Sequence, residues 1–291
     1  MGSSAETKAT AGTIPPGLHL VATPIGTARD ITLRGLDVLA GADVLAAEDT
    51  RTLRHLMEIH GIALAGRPLL AVHDHNEAAA APRVLAALAA GKSVAYASEA
   101  GTPLVSDPGF ALVRAAVAAG ERVHAVPGAS AVLAALTVAG LPTDRFLFAG
   151  FVPAAAGDRA RFLAGLAGSD ATVVLYESPR RVLRTLDALA ETFGETRRMA
   201  LCRELTKRHE EVIRGGVAEV RDALAGQEPK GEVVLVLDRA PPVETAPETV
   251  EKALERAMAT RSVKDAVTFV AQTLNVPRRT VYQIALALDR G

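Results

Sequence analysis

Short apolar runs rich in β-branched residues alternate with stretches of helical period along the first 126 residues of the chain. This alternation predicts a mostly parallel sheet covered by helices, because parallel strands need crossover connections between them. Glycine follows each predicted helix, where a left-handed C-terminal cap favours it. The predicted strands are residues 18–23, 43–49, 69–74, 93–98 and 122–126, the helices are residues 31–40, 51–60, 77–90 and 110–119, and the capping glycines are Gly41, Gly61, Gly91 and Gly120.

A second series of strands and helices follows, with one difference that bears on its sheet. Only residues 204–209 separate two of its strands, which is too short for a crossover helix and therefore predicts antiparallel pairing. The simplest arrangement is two α/β domains that meet near Pro127 and Gly128. The predicted strands are residues 146–151, 172–176, 199–203, 210–214 and 232–237, and the predicted helices are residues 158–166, 180–191 and 217–225.

The last part of the chain has helical periodicity only. Residues 263–274 and 278–288 flank a break at 275–277, which is the spacing of a helix-turn-helix, with Arg278 and Arg279 opening the second helix. Many small helical bundles share this outline, so nucleic-acid contact and a plain bundle both remain open. The predicted division is a disordered tail (1–16), an N-terminal α/β domain (17–126), a C-terminal α/β domain (127–240), a proline-rich linker (241–247) and a helical segment (248–291).

Composition limits the classes of protein to which the chain can belong. The formal net charge is −1 and aromatic residues make up 3% of the chain, so neither a global positive field nor many base-stacking side chains favour nucleic acid. A single cysteine, Cys202, excludes an internal disulfide and a cysteine-cluster zinc site. The most apolar stretch, residues 129–141, is too short to span a bilayer, and the polar N-terminus does not resemble a secretory signal. We expect a soluble cytoplasmic protein without a membrane segment.

Three loops rich in glycine and proline follow predicted strands. They are loop A (residues 23–30, TPIGTARD), loop B (98–109, SEAGTPLVSDPG) and loop C (126–131, VPGASA). Ligands of open parallel sheets bind beyond the carboxyl ends of the strands, so three such loops at one sheet edge predict a pocket. Gly101 and Gly128 would let the backbone approach a ligand closely. No dinucleotide-binding or P-loop fingerprint is present, which disfavours Rossmann and P-loop chemistry.

Polar residues cluster beside these loops. Asp49 and Ser178 each stand where they could cap a helix. His73 and His75 suggest a metal pair, but no third ligand has diagnostic spacing, so we predict no metal. The clusters are residues 48–51 (EDTR), 73–76 (HDHN), 177–180 (ESPR) and 203–207 (RELTK), the last followed by His209.

Several long motifs, taken in order, resemble the ribosomal RNA small subunit methyltransferase I family. These motifs are residues 18–51, loop B, loop C, residues 175–181 (LYESPRR) and residues 203–211 (RELTKRHEE). The resemblance covers roughly residues 17–240, and the helical segment resembles the C-terminal extension of that family. It implies the fold of the tetrapyrrole-methylase superfamily, with a cofactor cleft between two α/β domains. It also implies S-adenosylmethionine as cofactor, a cytidine ribose 2′-oxygen of 16S rRNA in the small subunit as acceptor, and a homodimer.

The resemblance also implies a set of cofactor contacts. Loop B carries one departure from the family pattern: Glu99 stands where the family usually has Asp, which keeps the carboxylate but makes the side chain one methylene longer. The implied contacts are Ala28 in loop A, Glu99, Ala100, Gly101, Thr102, Pro103 and Val105 in loop B, Ser130 and Ala131 in loop C, and Tyr176 and Glu177 in the second domain.

Methyl transfer to a hydroxyl needs the acceptor oxygen aligned with the methyl carbon, and a base that removes the proton adds about 10²–10⁴-fold. We predict that Glu177 and Glu204 lie at the site as catalytic residues, without assigning either as the base. Lys207, Arg51 or Arg180 could hold phosphates. The candidate bases are Glu48, Asp49, Asp107, Glu177, Glu204 and His209.

Two other functions remain open from the sequence. A tetrapyrrole methyltransferase of the same fold would not need the C-terminal helices, and its first loop would be richer in glycine than loop A. A ligand-sensing DNA regulator would join a two-lobed α/β receptor to a helix-turn-helix. Its helix-turn-helix would here lie at the C-terminus, and the loops match methyltransferase motifs.

Overall fold

The computed structural model describes residues 13–73, 75–227, 229–241 and 247–288, and the chain divides into two compact units, Met1–Arg239 and Ala240–Gly291. The first unit contains two five-stranded sheets. The first twelve residues of the expected tail, Asp74 and most of the expected linker lie outside the described residues. The proposed domain boundaries therefore stay predictions.

The first sheet is entirely parallel, with strand order β3-β2-β4-β1-β5. Helices cover both of its faces, so the central strands are buried on both sides: Ala95 and Ala97 of one strand face one core and Val94 and Tyr96 face the other. This confirms the fold predicted from strand–helix alternation. The elements are β1 (Gly17–Val21), α1 (Leu33–Gly41), β2 (Val44–Ala47), α2 (Thr50–Ile59), β3 (Leu69–Ala71), α3 (Glu77–Ala89), β4 (Ser93–Ala97), α4 (Phe110–Ala118) and β5 (Val123–Val126).

The second sheet is mixed, with strand order β6-β7-β10-β8-β9. Its β6 and β7 are parallel and the other pairs are antiparallel, including the two strands that residues 204–209 join. One face packs on α6, α7 and α8, and α5 covers the other. The elements are α5 (Ala131–Ala139), β6 (Phe146–Phe151), α6 (Ala156–Leu166), β7 (Thr172–Glu177), α7 (Val182–Phe193), β8 (Arg198–Arg203), β9 (Glu211–Gly216), α8 (Val217–Ala223) and β10 (Val233–Leu237).

Two local predictions were wrong, and one helix was not predicted. Gly41 is the last residue of α1, and the chain leaves that helix through Ala42 in an extended conformation, whereas Gly61, Gly91 and Gly120 have the left-handed φ expected of caps. Ser178 does not cap α7, which begins four residues later. Helix α5 lies within the apolar stretch 129–141, where no polar face marks a helical period.

The second unit is a three-helix arrangement with its own apolar core. Helices α9 (Pro247–Met258), α10 (Val263–Thr273) and α11 (Arg278–Leu288) surround Leu254, Val267 and Val281. Asn275 takes a left-handed conformation (φ 50°) in the turn between α10 and α11. Pro247, assigned from sequence to the linker, is the first residue of α9. In the described part of the chain, no helix has both the length and the apolar character needed to cross a membrane.

Candidate active site

Loops A, B and C are tied to one another at the carboxyl edge of the first sheet. Thr23 and Gly101 exchange two backbone hydrogen bonds of 2.9 and 3.1 Å, which pair loop A with loop B. The Thr102 hydroxyl donates to the Ala129 carbonyl at 3.0 Å and so ties loop B to loop C. The structure thus brings together the three loops that the sequence placed at one edge.

A cavity of about 600 Å³ lies between these loops and the second sheet. Nine of the residues implied as cofactor contacts line it: Glu99, Ala100, Gly101, Thr102, Val105, Ser130, Ala131, Tyr176 and Glu177. Sequence reasoning did not single out Gly26, Ser106, Phe151, Glu232, Val233 and Val234, which also line it. Val233 and Val234 begin β10, whose run of valines is typical of an ordinary buried strand, and Glu232 directly precedes it.

Ala28, Pro103 and Glu204 are not among the residues that line the cavity. Ala28 lies in a 3₁₀ turn, where it packs on the core of the first sheet and its carbonyl lies 2.9 Å from His60 Nε2. Pro103 is buried within loop B, and Glu204 lies beneath Lys207. For Ala28, Pro103 and Glu204, the implied role at the site therefore stays a prediction.

Backbone strain is concentrated around the cavity. In the described part of the chain, six residues other than glycine have positive φ, and four of these lie in two loops. Leu104 (68°) and Ser106 (64°) belong to loop B, and Glu204 (51°) and Thr206 (64°) belong to residues 204–207, called loop D. Each such conformation costs of order 1–3 kcal/mol and is retained where the surroundings enforce it, typically at ligand sites.

The Glu177 carboxylate is fully engaged with the start of α7. Its Oε1 accepts from the Ser178 backbone at 2.6 Å and from Arg181 Nε at 2.9 Å, and its Oε2 accepts from the Thr185 hydroxyl at 2.5 Å. The side chain is 1% exposed. These three donors hold the carboxylate against the start of α7, so Glu177 fixes this corner of the cavity.

Loop D places one ammonium group at the cavity wall. Lys207 Nζ lies 2.8 Å from Glu204 Oε1 and 3.0 Å from Glu232 Oε2. Burial alone would lower the pKa of Lys207, but the hydrogen bonds to these two carboxylates outweigh it and raise the pKa. Burial raises the pKa of Glu204, yet Lys207 and the Glu232 backbone amide lower it further than burial raises it. Lys207 is therefore a fixed positive charge.

Acidic groups dominate the rest of the cavity wall. Glu48, Glu99, Asp107 and Glu232 line it, and the Glu99 amide donates to Glu48 Oε2 at 3.3 Å. Burial, followed by the charges of Asp107 and Glu232, raises the pKa of Tyr176 to about 12. The Tyr176 hydroxyl is therefore protonated at neutral pH.

The other polar residues discussed from the sequence, Asp49, His73, His75 and His209, do not line the cavity. Asp49 caps α2, as predicted, by accepting from the Arg51 amide at 2.7 Å. His209 is exposed and is not part of the cavity lining. His73 and His75 lie edge to face with ring centres 6.1 Å apart. Among the described residues, no three His, Cys, Asp or Glu side chains form a group that could hold a metal ion.

Comparison with known proteins extends over almost the whole chain. A model of the Tetrapyrrole (Corrin/Porphyrin) Methylases matches residues 17–221, and a model of the RsmI C-terminal HTH domain matches residues 244–289. The chain is 43% identical to a ribosomal RNA small subunit methyltransferase I of Mesorhizobium japonicum, covering 97% of this chain and 96% of that one. A protein of the same name from Xylella fastidiosa is 42% identical and covers 92% and 98%.

Solved structures with the same fold include methyltransferases of other substrates. A uroporphyrin-III C-methyltransferase from Thermus thermophilus superposes with a TM-score of 0.52 at 24% identity, covering 75% of this chain and 93% of that one. A cobalt precorrin-4 methyltransferase gives 0.58 at 19% identity, covering 78% and 98%. At these identities the likeness establishes the fold alone. The near full-length relatives establish more: the chain belongs to the ribosomal RNA small subunit methyltransferase I family.

Proposed function

We propose that this protein methylates the 2′-oxygen of a cytidine ribose in 16S rRNA of the small ribosomal subunit, with S-adenosylmethionine as methyl donor. The observation that carries the proposal is near full-length similarity to proteins named for small-subunit rRNA methylation, and it is supported by a cavity at the motifs on which the family resemblance rests. The acceptor atom, which is the ribose 2′-oxygen, and the identity of the acceptor nucleotide as cytidine are taken from the family resemblance.

The cavity has the volume and charge to hold the cofactor. Its wall carries four carboxylates besides Glu177 and one ammonium, which suits a ligand with positively charged sulfur and amino groups. Loops B and C would hold it mainly through backbone groups at Ala100, Gly101, Thr102, Ser130 and Ala131. S-Adenosylmethionine supplies an electrophilic methyl group on a sulfonium sulfur.

The protein's own groups divide into positioning and charged residues. We infer that Glu177 positions the 176–179 wall and that Glu204 positions Lys207, because each carboxylate is already held by donors. Neither is therefore assigned as the base. Asp107 and Glu232 also line the cavity near Tyr176, whose pKa burial and their charges raise, and they are further candidates for accepting the hydroxyl proton.

The tetrapyrrole alternative is supported by the family model that matches residues 17–221 and by the shared fold, but its solved representatives are distant in sequence. Its representatives are 19–24% identical to this chain, whereas the rRNA methyltransferases are 42–43% identical over nearly the whole length. Residues 244–289 match the RsmI C-terminal HTH domain, a segment that a tetrapyrrole methyltransferase would not need. This match favours RNA as the substrate. We further propose, from the family resemblance, that the protein acts as a homodimer in the cytoplasm.

The test is methyl mapping on small subunits that lack modification. Purified protein and methyl-labelled S-adenosylmethionine should label 16S rRNA at one cytidine, and alkaline hydrolysis should leave that linkage uncut because its 2′-oxygen is blocked. Free uroporphyrin or precorrin substrates serve as the comparison. Labelling of these but not of RNA, or no labelling of any of them, would overturn the proposal.

A further inference from the structure

An irregularity in the edge strand β6 changes the direction of its last side chain. Phe148 pairs with Val174, but Gly150 pairs with Leu175 and Phe151 with Tyr176, so one extra residue is inserted between Phe148 and Gly150. Gly150 has a φ of 77°, which glycine adopts without strain. Such bulges re-aim side chains and occur beside active sites.

The bulge places Phe151 on the cavity face of the sheet. In a regular strand, Phe148 and Phe151 would point to opposite faces because side chains alternate. With the inserted residue, both rings contact the Tyr176 ring edge to face, at centroid distances of 4.8 and 5.3 Å. The next residue, Val152, accordingly points into the core on the other face, where it is 1% exposed. The register shift alone therefore brings Phe151 to the cavity.

Phe151 is an open aromatic surface at the rim of that cavity. Its side chain is among the residues that line the cavity and remains 55% exposed. A β-carbon on Gly150 would lie 3.9 Å from the Ser106 hydroxyl, so the bulge lies against loop B. Exposure of an apolar ring to water is unfavourable, so a ligand that covers the Phe151 ring would gain binding free energy.

The concentration of aromatic residues here is high for this chain. The sequence has seven Phe, three Tyr and no Trp, and three of these ten rings form the Phe148–Tyr176–Phe151 cluster. Tyr176 contacts Phe151 edge to face, and the exposure of the Phe151 side chain leaves room for a planar partner. Proteins that read unpaired nucleotides stack exposed aromatic rings on the bases.

We propose that Phe151, aimed by the bulge at Gly150, is the stacking platform for the base of the acceptor nucleotide. The inference rests on the proposed function and assigns the acceptor subsite to the Phe151 side of the cavity, beside loop B. Stacking of that base on Phe151 holds the attached ribose, which carries the 2′-hydroxyl, at the rim of the cavity.

The first test compares two substitutions at one position. Phe151→Leu keeps an apolar side chain but removes the aromatic face, whereas Phe151→Tyr keeps that face. We expect kcat/KM for small subunits to fall roughly 5- to 150-fold in Phe151→Leu, the range of one lost base stack. Phe151→Tyr should stay close to wild type. S-Adenosylmethionine affinity, measured by calorimetry, should be unchanged in both.

The second test uses fluorescence, because the chain contains no tryptophan. Phe151→Trp introduces a single reporter at the rim, and Phe110→Trp introduces one on α4 at a side chain that is 66% exposed and does not line the cavity. Cytidine 5′-monophosphate should quench the Phe151→Trp emission saturably and leave the Phe110→Trp emission with only linear, collisional quenching. S-Adenosylhomocysteine alone should not reproduce the saturable effect.

The outcomes separate this inference from the proposed function. If wild-type protein labels no RNA, the proposed function fails. If wild-type protein labels RNA and Phe151→Leu does so equally well, only the stacking role fails. Saturable quenching by S-adenosylhomocysteine and not by the cytidine nucleotide would place Phe151 on the cofactor adenine and overturn the inference.

Discussion

The Thr206 hydroxyl fills the space in front of the Gly26 α-carbon: a β-carbon on Gly26 would lie 2.5 Å from Thr206 Oγ1. The same β-carbon would lie 2.6 Å from Lys207 Cγ, and the Thr27 amide donates to Thr206 Oγ1 at 3.2 Å. Loop A of the first sheet and loop D of the second therefore interlock without space for one more methyl group. This contact positions the Lys207 wall against the loops of the first sheet.

We expect Gly26→Ala to separate loops A and D. Overpacking of this kind costs about 1–3 kcal/mol of stability, and the displaced loops should also weaken S-adenosylmethionine binding. Chemical denaturation and calorimetry measure the two effects. Gly157→Ala in α6 is the matched control, since a β-carbon there meets nothing within 4 Å; it should leave cofactor affinity unchanged and should not lower stability, because alanine is the better helix former. Unaltered cofactor affinity in Gly26→Ala would contradict the role given to this contact.

We expect Lys207 to contribute to methyl transfer through its positive charge and not by donating or accepting a proton. Because its pKa is raised, Lys207 stays protonated well above neutral pH, and the rate should show no loss attributable to this residue between about pH 7 and pH 9. Lys207→Met should reduce kcat by about 10²-fold, the size of effect seen when one charge-stabilising donor is removed. Lys207→Arg, which keeps the charge, should retain more activity, and a methionine variant as active as wild type would contradict the assignment.

Asp49 should matter for stability and not for chemistry. It caps α2, and its hydrogen bonds from Arg51 lower the pKa of the carboxyl to about 2. Asp49→Ala should lower the melting temperature of the protein. Asp49→Asn should keep it close to that of wild type, because asparagine can still cap the helix. Methyl transfer by the asparagine variant should match wild type. A large loss of kcat there would make Asp49 a candidate base after all.

His19 should make stability depend on pH. Its ring stacks on His124 at a centroid distance of 4.5 Å, and burial, which outweighs its hydrogen bond to Pro15, lowers the pKa of His19 below 6.5. The unfolded chain therefore binds the proton first, so stability should be constant above about pH 6.5 and fall as the pH drops below it. Denaturant titrations between pH 5 and pH 8 measure this, and His19→Gln should flatten the profile. A wild-type profile that rises on acidification would refute it.

The helical unit should assist RNA binding only. Residues 248–291 carry a small surplus of positive charge, and this unit has a core separate from both sheets. Deleting residues 240–291 should therefore spare S-adenosylmethionine affinity while weakening methylation of small subunits, the more so at high salt. Calorimetry and labelling at two salt concentrations measure both. Equal methylation by the truncated chain would remove the helical unit from substrate recognition.

The fold could be predicted because its signals are local. Alternating strand and helix patterns require crossover connections, and the short 204–209 connection requires antiparallel strands whatever surrounds it. The Asp49 cap follows likewise from a side chain that bonds its own helix. Helix α5 lacks such a signal because apolar residues stand on its exposed side as well, as Leu133 does, so no polar face marks a period.

The site was harder to predict because its geometry depends on contacts distant in sequence. Glu177 is acidic and lies in a family motif, yet its carboxylate turns to Thr185 and Arg181 within the fold. The direction of Phe151 depends on a register shift against β7, which alternation along β6 cannot reveal. In both cases the residue type was visible in sequence, but its orientation depended on neighbouring elements.

The order of strands in the second sheet has a consequence for synthesis. Strand β10, the last to leave the ribosome, inserts between β7 and β8, and these two strands have no direct pairing without it. The first sheet can complete once residue 126 has emerged, whereas the second must wait for residue 237. Glu232, Val233 and Val234 belong to the cavity wall. A nascent or truncated chain that ends before them thus has the motif loops but no finished cavity, and methylation can begin only when almost the entire first unit has been translated.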